Sequence, residues 1–281
     1  MQPTLAIVYN SQAGNGMLGW GCNVSGMSVI TRGPKDMYHD GTAKALTFSA
    51  DEAYYLDGKR LIYSSGTIGQ EGAVYYLESD PFTKVIVHGT YTTSTANTWF
   101  EVQSSTGQIC YYGNTTGARQ SYTAGNSPRI YAWYLDYVED PLGNYMNYTY
   151  NKWSYCMYPN TIMYGNNKNG STGLQNTVTF SYETRSNDPQ LFVIEGVKGT
   201  MDRRLKTITS KTGSSVYRVY DLQYNTTGDA SGTKYSRLTS VTERNGAGDV
   251  MQPVKLNWSY LPSLYSICLL YTSPSPRDIS G

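Results

Sequence analysis

Period-two alternation of aromatic or β-branched residues with hydroxyl-bearing ones recurs along this chain, and short glycine-containing turns interrupt it. Residues 178–182 alternate apolar with hydroxyl side chains, residues 254–260 do the same over seven positions, and residues 218–224 put Tyr220, Leu222 and Tyr224 on one face. Such a pattern reads as half-buried antiparallel strand. Asn15-Gly16, Asp40-Gly41, Asp57-Gly58, Asn169-Gly170 and Asn245-Gly246 fall between the runs, where each can supply the positive φ of a tight turn. No stretch of a dozen residues carries apolar positions at helical spacing, so helix should be scarce.

Several segments share one grammar of short strand, glycine turn and tyrosine-rich strand. Residues 135–144 lead into 145–150, 205–208 reach Gly213 and then 216–220, 238–246 lead to 254–260, and 99–102 reach Gly107 and then 109–113. A lone hairpin is marginal in water, so repeated hairpins must pair edge to edge to bury their faces. The expected class is all-β: successive antiparallel β-hairpins forming a large curved sheet, with very little helix. Irregular spacing argues against a solenoid of one fixed period.

Composition narrows function. Tyrosine supplies 28 of 281 residues, charged residues are 15% and the net charge is +1. That balance gives no general field for nucleic acid or anionic lipid, and no apolar run is long enough to span a membrane. Two histidines leave little room for zinc or imidazole chemistry. Cys22, Cys110, Cys156 and Cys268 are scattered without metal or redox spacing and read as independent, half-buried thiols. The N-terminus shows no signal peptide. No cofactor, metal or catalytic residue is assigned.

The candidate sites each have a plainer explanation. His39-Asp40 lacks a nucleophile motif, and Asp40-Gly41 accounts for itself as a turn; Cys22 and His39 have nothing to bring them together. Glu78, Asp80, Glu139 and Asp140 could supply a glycosidase pair only if two carboxyls faced across a cleft. Residues 66–72 carry glycines at every third position but lack a phosphate loop's Lys-Ser/Thr and open onto a strand, so a mobile hairpin loop is expected. No Asp/Asn run has calcium-loop spacing. Tyr131, Trp133, Tyr134 and Tyr137 could form a sugar-stacking platform, yet tyrosine spread through every segment favours a structural role. Sequons at Asn23, Asn114, Asn147, Asn169, Asn225 and Asn257 are expected by chance in so Asn- and Thr-rich a chain.

The last fourteen residues, 268–281, look like the in-frame translation of a transposase-type sequencing adapter. They are expected to be a disordered, non-native tail. The native region is then 1–267, truncated at both ends.

The densest signature lies near the start: Tyr9, Asn10, Ser11, Gly14, Asn15, Gly16, Gly19 and Trp20, followed by Ser25, Ile30 and Arg32. Further on come Asp40-Gly41, then Leu56, Asp57, Gly58, Lys59, Arg60, Leu61 and Ile62. Asp140, Pro141, Gly143 and Asn144 precede Tyr148 and Tyr150, with Asn151 where Asp is usual. Together these resemble the SpvB-like N-terminal region of the Rhs/YD-repeat superfamily, found in B components of insecticidal toxin complexes and in large bacterial surface or secreted proteins.

The resemblance implies a structural role: wall of a β-shell that encloses a C-terminal toxin, with no catalysis in this portion. It implies as partners the remainder of the polypeptide and other toxin-complex subunits, and a secreted or cell-surface location. Neither nucleic acid nor membrane insertion is expected. The rival is a non-catalytic carbohydrate-binding or adhesive β-sandwich module.

Overall fold

A computed structural model describes residues 1–49, 51–91, 96–124, 127–170, 173–194, 196–225 and 235–258; the tail at 268–281 and the end of the expected strand at 259–260 lie outside them. The N-terminal motif forms β1 (Ala6–Tyr9), β2 (Asn15–Gly16), β3 (Gly19–Trp20) and β4 (Cys22–Ser25). There follow β5 (Val29–Gly33), the one-turn helix α1 (Met37–Asp40), β6 (Ala53–Leu56), β7 (Lys59–Ser65), β8 (Val74–Leu77) and β9 (Asp80–His88). Then come β10 (Trp99–Gln103), β11 (Ile109–Tyr112), a 3-10 turn at Thr116–Ala118, β12 (Arg119–Ala124) and β13 (Ser127–Glu139). The remainder is β14 (Asn144–Trp153), β15 (Cys156–Asn167), β16 (Asn176–Thr184), β17 (Gln190–Ile194), β18 (Val197–Met201), β19 (Arg203–Thr212), β20 (Ser215–Asn225), β21 (Arg237–Asn245) and β22 (Val254–Lys255).

Sixteen of these strands make one antiparallel sheet, and half of it closes on itself. From β5 the chain meanders through β6, β7, β8, β9 and β10 to β11, and β13 then pairs with both ends of that run: Trp133 opposite Ile30 of β5, and Val138 opposite Cys110 of β11. An eight-stranded ring results. The sheet continues from β13 as an open meander, β14-β15-β16-β19-β20-β21-β22. Register shifts at Tyr111/Tyr112, Thr149/Tyr150, Ser181/Tyr182, Ser210/Lys211 and Gln223/Tyr224 are β-bulges. Each bends its strand and increases local twist, which curves the sheet.

The ring is filled by large side chains. Trp133, fully buried, packs edge-on to Phe100 and Tyr54 with centroids 4.8 and 5.8 Å away, and its indole Nε1 donates to the Thr98 carbonyl at 2.6 Å. Arg32 lies in the same core at 2% exposure, pairing with Glu52 at 3.1 Å and donating to the carbonyls of Ile130 and Ser49. Its guanidinium also sits 4.4 Å from the Tyr91 ring centroid. A buried cation persists only with such pairing.

The N-terminal hairpin, β1 with β4, faces the open meander. Leu5, Ile7 and Val24 stand over Val178, Ile208 and Leu238, leaving an apolar cleft of about 610 Å³ between them.

Two local expectations change. Asn15-Gly16 is not a turn; it pairs as β2 with Gly19-Trp20, and Met17-Leu18 turn instead, because the Asn15 side chain is engaged elsewhere. Among the described residues of the strand expected at 254–260, Val254 and Lys255 alone join the ladder, opposite Val241 and Ser240.

Gly113 (φ +69°) tests the closure, since a Cβ there would lie 2.4 Å from Trp133 Cδ1. Gly58 (φ +79°) has nothing within 4 Å of its Cβ position. Urea unfolding should give a loss of about 1 kcal/mol for Gly58→Ala from backbone strain alone. Gly113→Ala should cost about 3 kcal/mol or more, as the ring cannot yield without disturbing the core. Equal losses would refute this account of the junction.

Candidate functional site

The N-terminal motif is built around a bend that satisfies its own backbone. Asn10 takes the Gly21 carbonyl and accepts from Ala13, both at 2.9 Å, while its side chain accepts the Gln12 N–H at 2.9 Å and Ser11 occupies the exposed turn between. Gly14 accepts from Gly16 and Gly21. Gly19 (φ +82°) must be glycine for a second reason: a Cβ would meet the Ser236 carbonyl oxygen at 2.3 Å. Leu18 is fully buried at the turn tip, and the Met17 carbonyl accepts the Leu205 N–H at 2.8 Å.

What holds this bend to the rest of the chain is a buried clasp. Arg185 and Asp188, 1% and 7% exposed, pair at 2.7 Å. Arg185 also donates to the Gly16 carbonyl at 2.7 Å and to Asn15 Oδ1 at 2.5 Å, and Asn15 Nδ2 returns a bond to Asp188 at 2.9 Å. Ser236 closes the set, donating to Asp188 from its backbone N–H at 2.6 Å and its hydroxyl at 2.8 Å. Burial pushes the Asp188 carboxyl up, but the bonds from Arg185, Asn15 and Ser236 outweigh it and hold it below its ordinary range. The clasp therefore ties the N-terminal motif to the segments after β16 and before β21. Nothing in their spacing marked Arg185, Asp188 or Ser236.

The other motif residues fix turns. Asp57 (φ +50°) and Gly58 make the β6–β7 hairpin, and the Asp57 carboxylate accepts the Val29 N–H at 2.9 Å and the Ser28 hydroxyl at 2.7 Å, joining that turn to β5. Asp140 accepts the N–H groups of Leu142 and Asn144 and the Asn144 amide, and Gly143 (φ +82°) completes the turn. Hydrogen bonding, from the Asn144 side chain foremost, holds the Asp140 carboxyl below its ordinary value. Pro141 packs near Gly107 of the neighbouring β10–β11 turn. Tyr148 lies in the core, and the Tyr150 hydroxyl donates to the Leu135 carbonyl at 2.6 Å.

His39 and Asp40 do not pair with one another. Asp36 caps α1, Gly41 ends it at φ +65°, and Arg60 takes Asp40 in a two-pronged contact at 2.7 and 2.8 Å. Both nitrogens of the His39 ring face carboxylates, Asp36 at 2.8 Å and Glu78 at 3.0 Å. A neutral imidazole has one N–H, so both contacts are satisfied only by imidazolium. These contacts push His39 up, the Glu78 bond foremost and the Asp36 bond next. His88 likewise bridges Glu71 and Glu101 at 3.0 and 3.1 Å and stacks on Trp99 at 4.2 Å.

The carboxylates considered for hydrolysis are occupied locally. Glu78 holds His39, Asp80 accepts from Thr83 at 2.6 Å, and Glu139 takes Lys168 and the Tyr137 hydroxyl. Residues 66–72 are pinned, since Gly72 donates to Val87 at 2.8 Å and the Glu71 carboxylate accepts the Gly89 N–H at 2.5 Å. Cys22, Cys110 and Cys156 are free thiols, and burial pushes all three up, Cys110 to about 12. Trp133 belongs to the ring core while Tyr131, Tyr134 and Tyr137 are half-buried, with Tyr137 stacked between Tyr111 and Tyr145, so the four do not form one platform.

Residues 1–156 match the family described as Salmonella virulence plasmid 65kDa B protein. Among solved structures, the chain is similar to the N-terminal domain of effector protein SpvB from Salmonella typhimurium strain LT2, with TM-score 0.69 and 16% identity over 86% of this chain and 94% of that one. It is also similar to the Photorhabdus luminescens Tc holotoxin pore, with TM-score 0.71 and 16% identity over 91% of this chain. TcdB2-TccC3 without its hypervariable C-terminal region gives TM-score 0.72 and 17% identity over 91% of this chain. The chain spans 15% of the length of each of those two toxin chains. At these identities the likeness is one of fold. No curated protein matches the chain.

Removing one partner of the clasp leaves a buried charge uncompensated. Arg185→Ala should lower stability by about 3–5 kcal/mol in urea unfolding. A double-mutant cycle with Asn15→Ala should show coupling of about 1 kcal/mol or more; additivity would mean that the two do not act together. Asp188 stabilises the fold above the ordinary carboxylate range, and that contribution is lost as pH falls through its lowered folded value. His39 behaves oppositely. Its contribution is full below its ordinary value of 6.5 and is lost as pH rises through the raised folded value. An NMR titration should place His39 above 6.5, with α1 amides exchanging faster at higher pH in the natural chain and at all pH values in His39→Gln. A titration at or below the ordinary value would dismiss the bridge.

Proposed function

The chain belongs to the SpvB family, and from that membership we propose that it is the structural N-terminal portion of a large Rhs/SpvB-like toxin or surface protein. In this reading it contributes wall to a β-shell that encapsulates or delivers a C-terminal toxin. It acts by shape and strand pairing and carries no catalytic step of its own. The remainder of its polypeptide and other toxin-complex subunits are its partners, at a secreted or cell-surface location.

The observation that carries the reading is the open end of the meander. The ring half of the sheet is closed, but among the described residues the other half ends in the two-residue strand β22, next to Val250, Met251 and Val254 at 64%, 59% and 67% exposure. A sheet edge bordered by apolar side chains is a template for a further strand. From β14 through β15, β16, β19 and β20 to β21 each strand pairs antiparallel with the next, so another hairpin can be added at the edge without altering those before it. The two-layer arrangement of the N-terminal hairpin over the meander supports the same reading, because it covers one face and leaves the edge free.

The coding sequence downstream of residue 267 should encode further strand-turn-strand units and then a dissimilar toxin segment. A stop codon or a glycan-active domain there would favour the adhesive module instead. Expressed alone, the chain should self-associate through its edge in sedimentation velocity, and the pair Met251→Lys and Val254→Lys should shift it towards monomer. A monodisperse, cooperatively melting monomer in the unaltered chain would count against the shell.

A further inference from the structure

A second concavity lies where the N-terminal motif meets the last strands. It has a volume of about 620 Å³ and is lined by Tyr9, Trp20, Tyr235 and Trp258, with Arg237 and Asn257 among the aromatic rings. These side chains come from opposite ends of the chain. The clasp that fixes Asn15 to Ser236 also brings Trp20 against Tyr235, stacked at 4.9 Å with 14° between their planes. Tyr9 meets Trp258 edge-on at 5.6 Å.

The rings are held before any ligand arrives. The Trp20 backbone N–H donates to the Ser236 carbonyl at 2.9 Å, which holds its strand beside Tyr235, and Trp258 Nε1 donates to the Leu238 carbonyl at 2.8 Å, which fixes that indole plane. Tyr9 and Tyr235 nevertheless remain 56% and 36% exposed. Aromatic surface kept at a cleft mouth and already ordered loses little entropy on binding, which is the condition for a preformed site.

The lining selects the ligand class. Among the described residues its lining contains no carboxylate, which an ammonium cage would need beside the rings. Among the described residues neither a helix N-terminus nor a glycine-rich amide loop borders it, so they supply no phosphate cradle. What it offers is flat apolar faces beside a planar amide and a planar guanidinium. A pyranose has the complementary surface: a C–H face for the rings and a rim of hydroxyls that donate to the Asn257 carbonyl and accept from the Asn257 and Arg237 N–H groups.

We propose that this cleft is a carbohydrate-binding site, stacking a sugar ring on the Tyr9, Trp20, Tyr235 and Trp258 group and reading its hydroxyls with Asn257 and Arg237. Binding involves no covalent step. The site does not depend on the shell reading, and its failure would leave that reading untouched.

The monomeric fraction of the chain, applied to an array of bacterial, plant and animal oligosaccharides, should retain a defined subset. The best of them, used as a soluble probe, should bind Tyr9→Ala and Asn257→Ala about tenfold more weakly, the effect of losing one stacking or one paired polar contact. Tyr235→Ala, measured with its thermal melt, gives a third side of the same cleft should Tyr9→Ala disturb the motif. Two results overturn the proposal: no oligosaccharide retained above background, or a retained one bound equally by all three variants. Displacement of the sugar by adenosine monophosphate at lower concentration than by the sugar itself would also overturn it, by assigning the cleft to nucleotides.

Discussion

Everything in this molecule depends on one strand being paired along both of its edges. β13 has 13 residues. Along one edge it meets β5 through Ala132, Trp133 and Tyr134 and then β14 through Tyr137, Val138 and Glu139. Along the other it meets β12 and then β11, with the Gly113 N–H bonding the Tyr134 carbonyl between them. Loss of the first edge would open the ring at β5 and detach the open meander at β14, and loss of the second would open the ring at β11. The handover from β11 to β12 occurs at a bulge: Tyr111 faces Tyr137 and Tyr112 faces Leu135, so Asp136 has no cross-strand residue. Its carboxylate instead accepts the Thr115 N–H at 2.5 Å, anchoring the short 3-10 turn that carries the chain past the gap. Burial raises the Asp136 carboxyl above its ordinary value, outweighing the hydrogen bonds from Thr115 and Asn114 that favour the carboxylate.

The strands were legible because half-buried antiparallel pairing writes itself into every second residue. The expected runs at 135–139 and 145–150, at 205–208 and 216–220, and at 178–182 all fall within strands. Ring closure was not legible, since it joins Trp133 to Ile30 across a hundred residues of chain and alternation is the same in a closed ring as in an open sheet. Asn15-Gly16 shows how tertiary bonding overrides a turn dipeptide: the Asn15 amide that would have supported a local turn is spent on Arg185 and Asp188. An Arg and an Asp three apart between strands look like ordinary surface charge in sequence, and only their burial reveals the clasp. Asp57 and Asp140 were legible as turns, although the link from Asp57 to Ser28 and Val29 was not.

The same clasp has two consequences that a local reading keeps apart. By fixing the N-terminal bend against Ser236 it covers part of the meander, and by drawing Trp20 to Tyr235 it gathers aromatic rings that are far apart in the chain. Clusters visible as neighbours in sequence, such as Trp133 beside Tyr134, are divided because adjacent strand residues point to opposite faces: Trp133 is fully buried in the ring core and Tyr134 is half-buried. Exposed aromatic surface is thus assembled where the two ends meet.

The tyrosine content has a more specific cause than strand preference. Tyr150, Tyr182 and Tyr224 each stand immediately after a bulge. Each hydroxyl donates to a carbonyl of the adjoining earlier strand in the ladder: Leu135 at 2.6 Å, Pro159 at 2.7 Å and Leu205 at 2.5 Å. A bulge curves the sheet but interrupts the ladder, and an interrupted ladder leaves carbonyls that must be satisfied if they are buried. Phenylalanine would fill the same volume and leave the oxygen bare; serine would reach neither the core nor the carbonyl. Tyrosine supplies the apolar ring and a donor at its far end together. The carbonyls these tyrosines satisfy, of Leu135, Pro159 and Leu205, each precede an extra residue, Asp136 in β13, Asn160 in β15 and Lys206 in β19, so curvature, bulge and tyrosine recur as one device shared between neighbouring strands. A sheet assembled from that device can keep curving as hairpins are added, which is the geometric requirement of a wall that must enclose a volume.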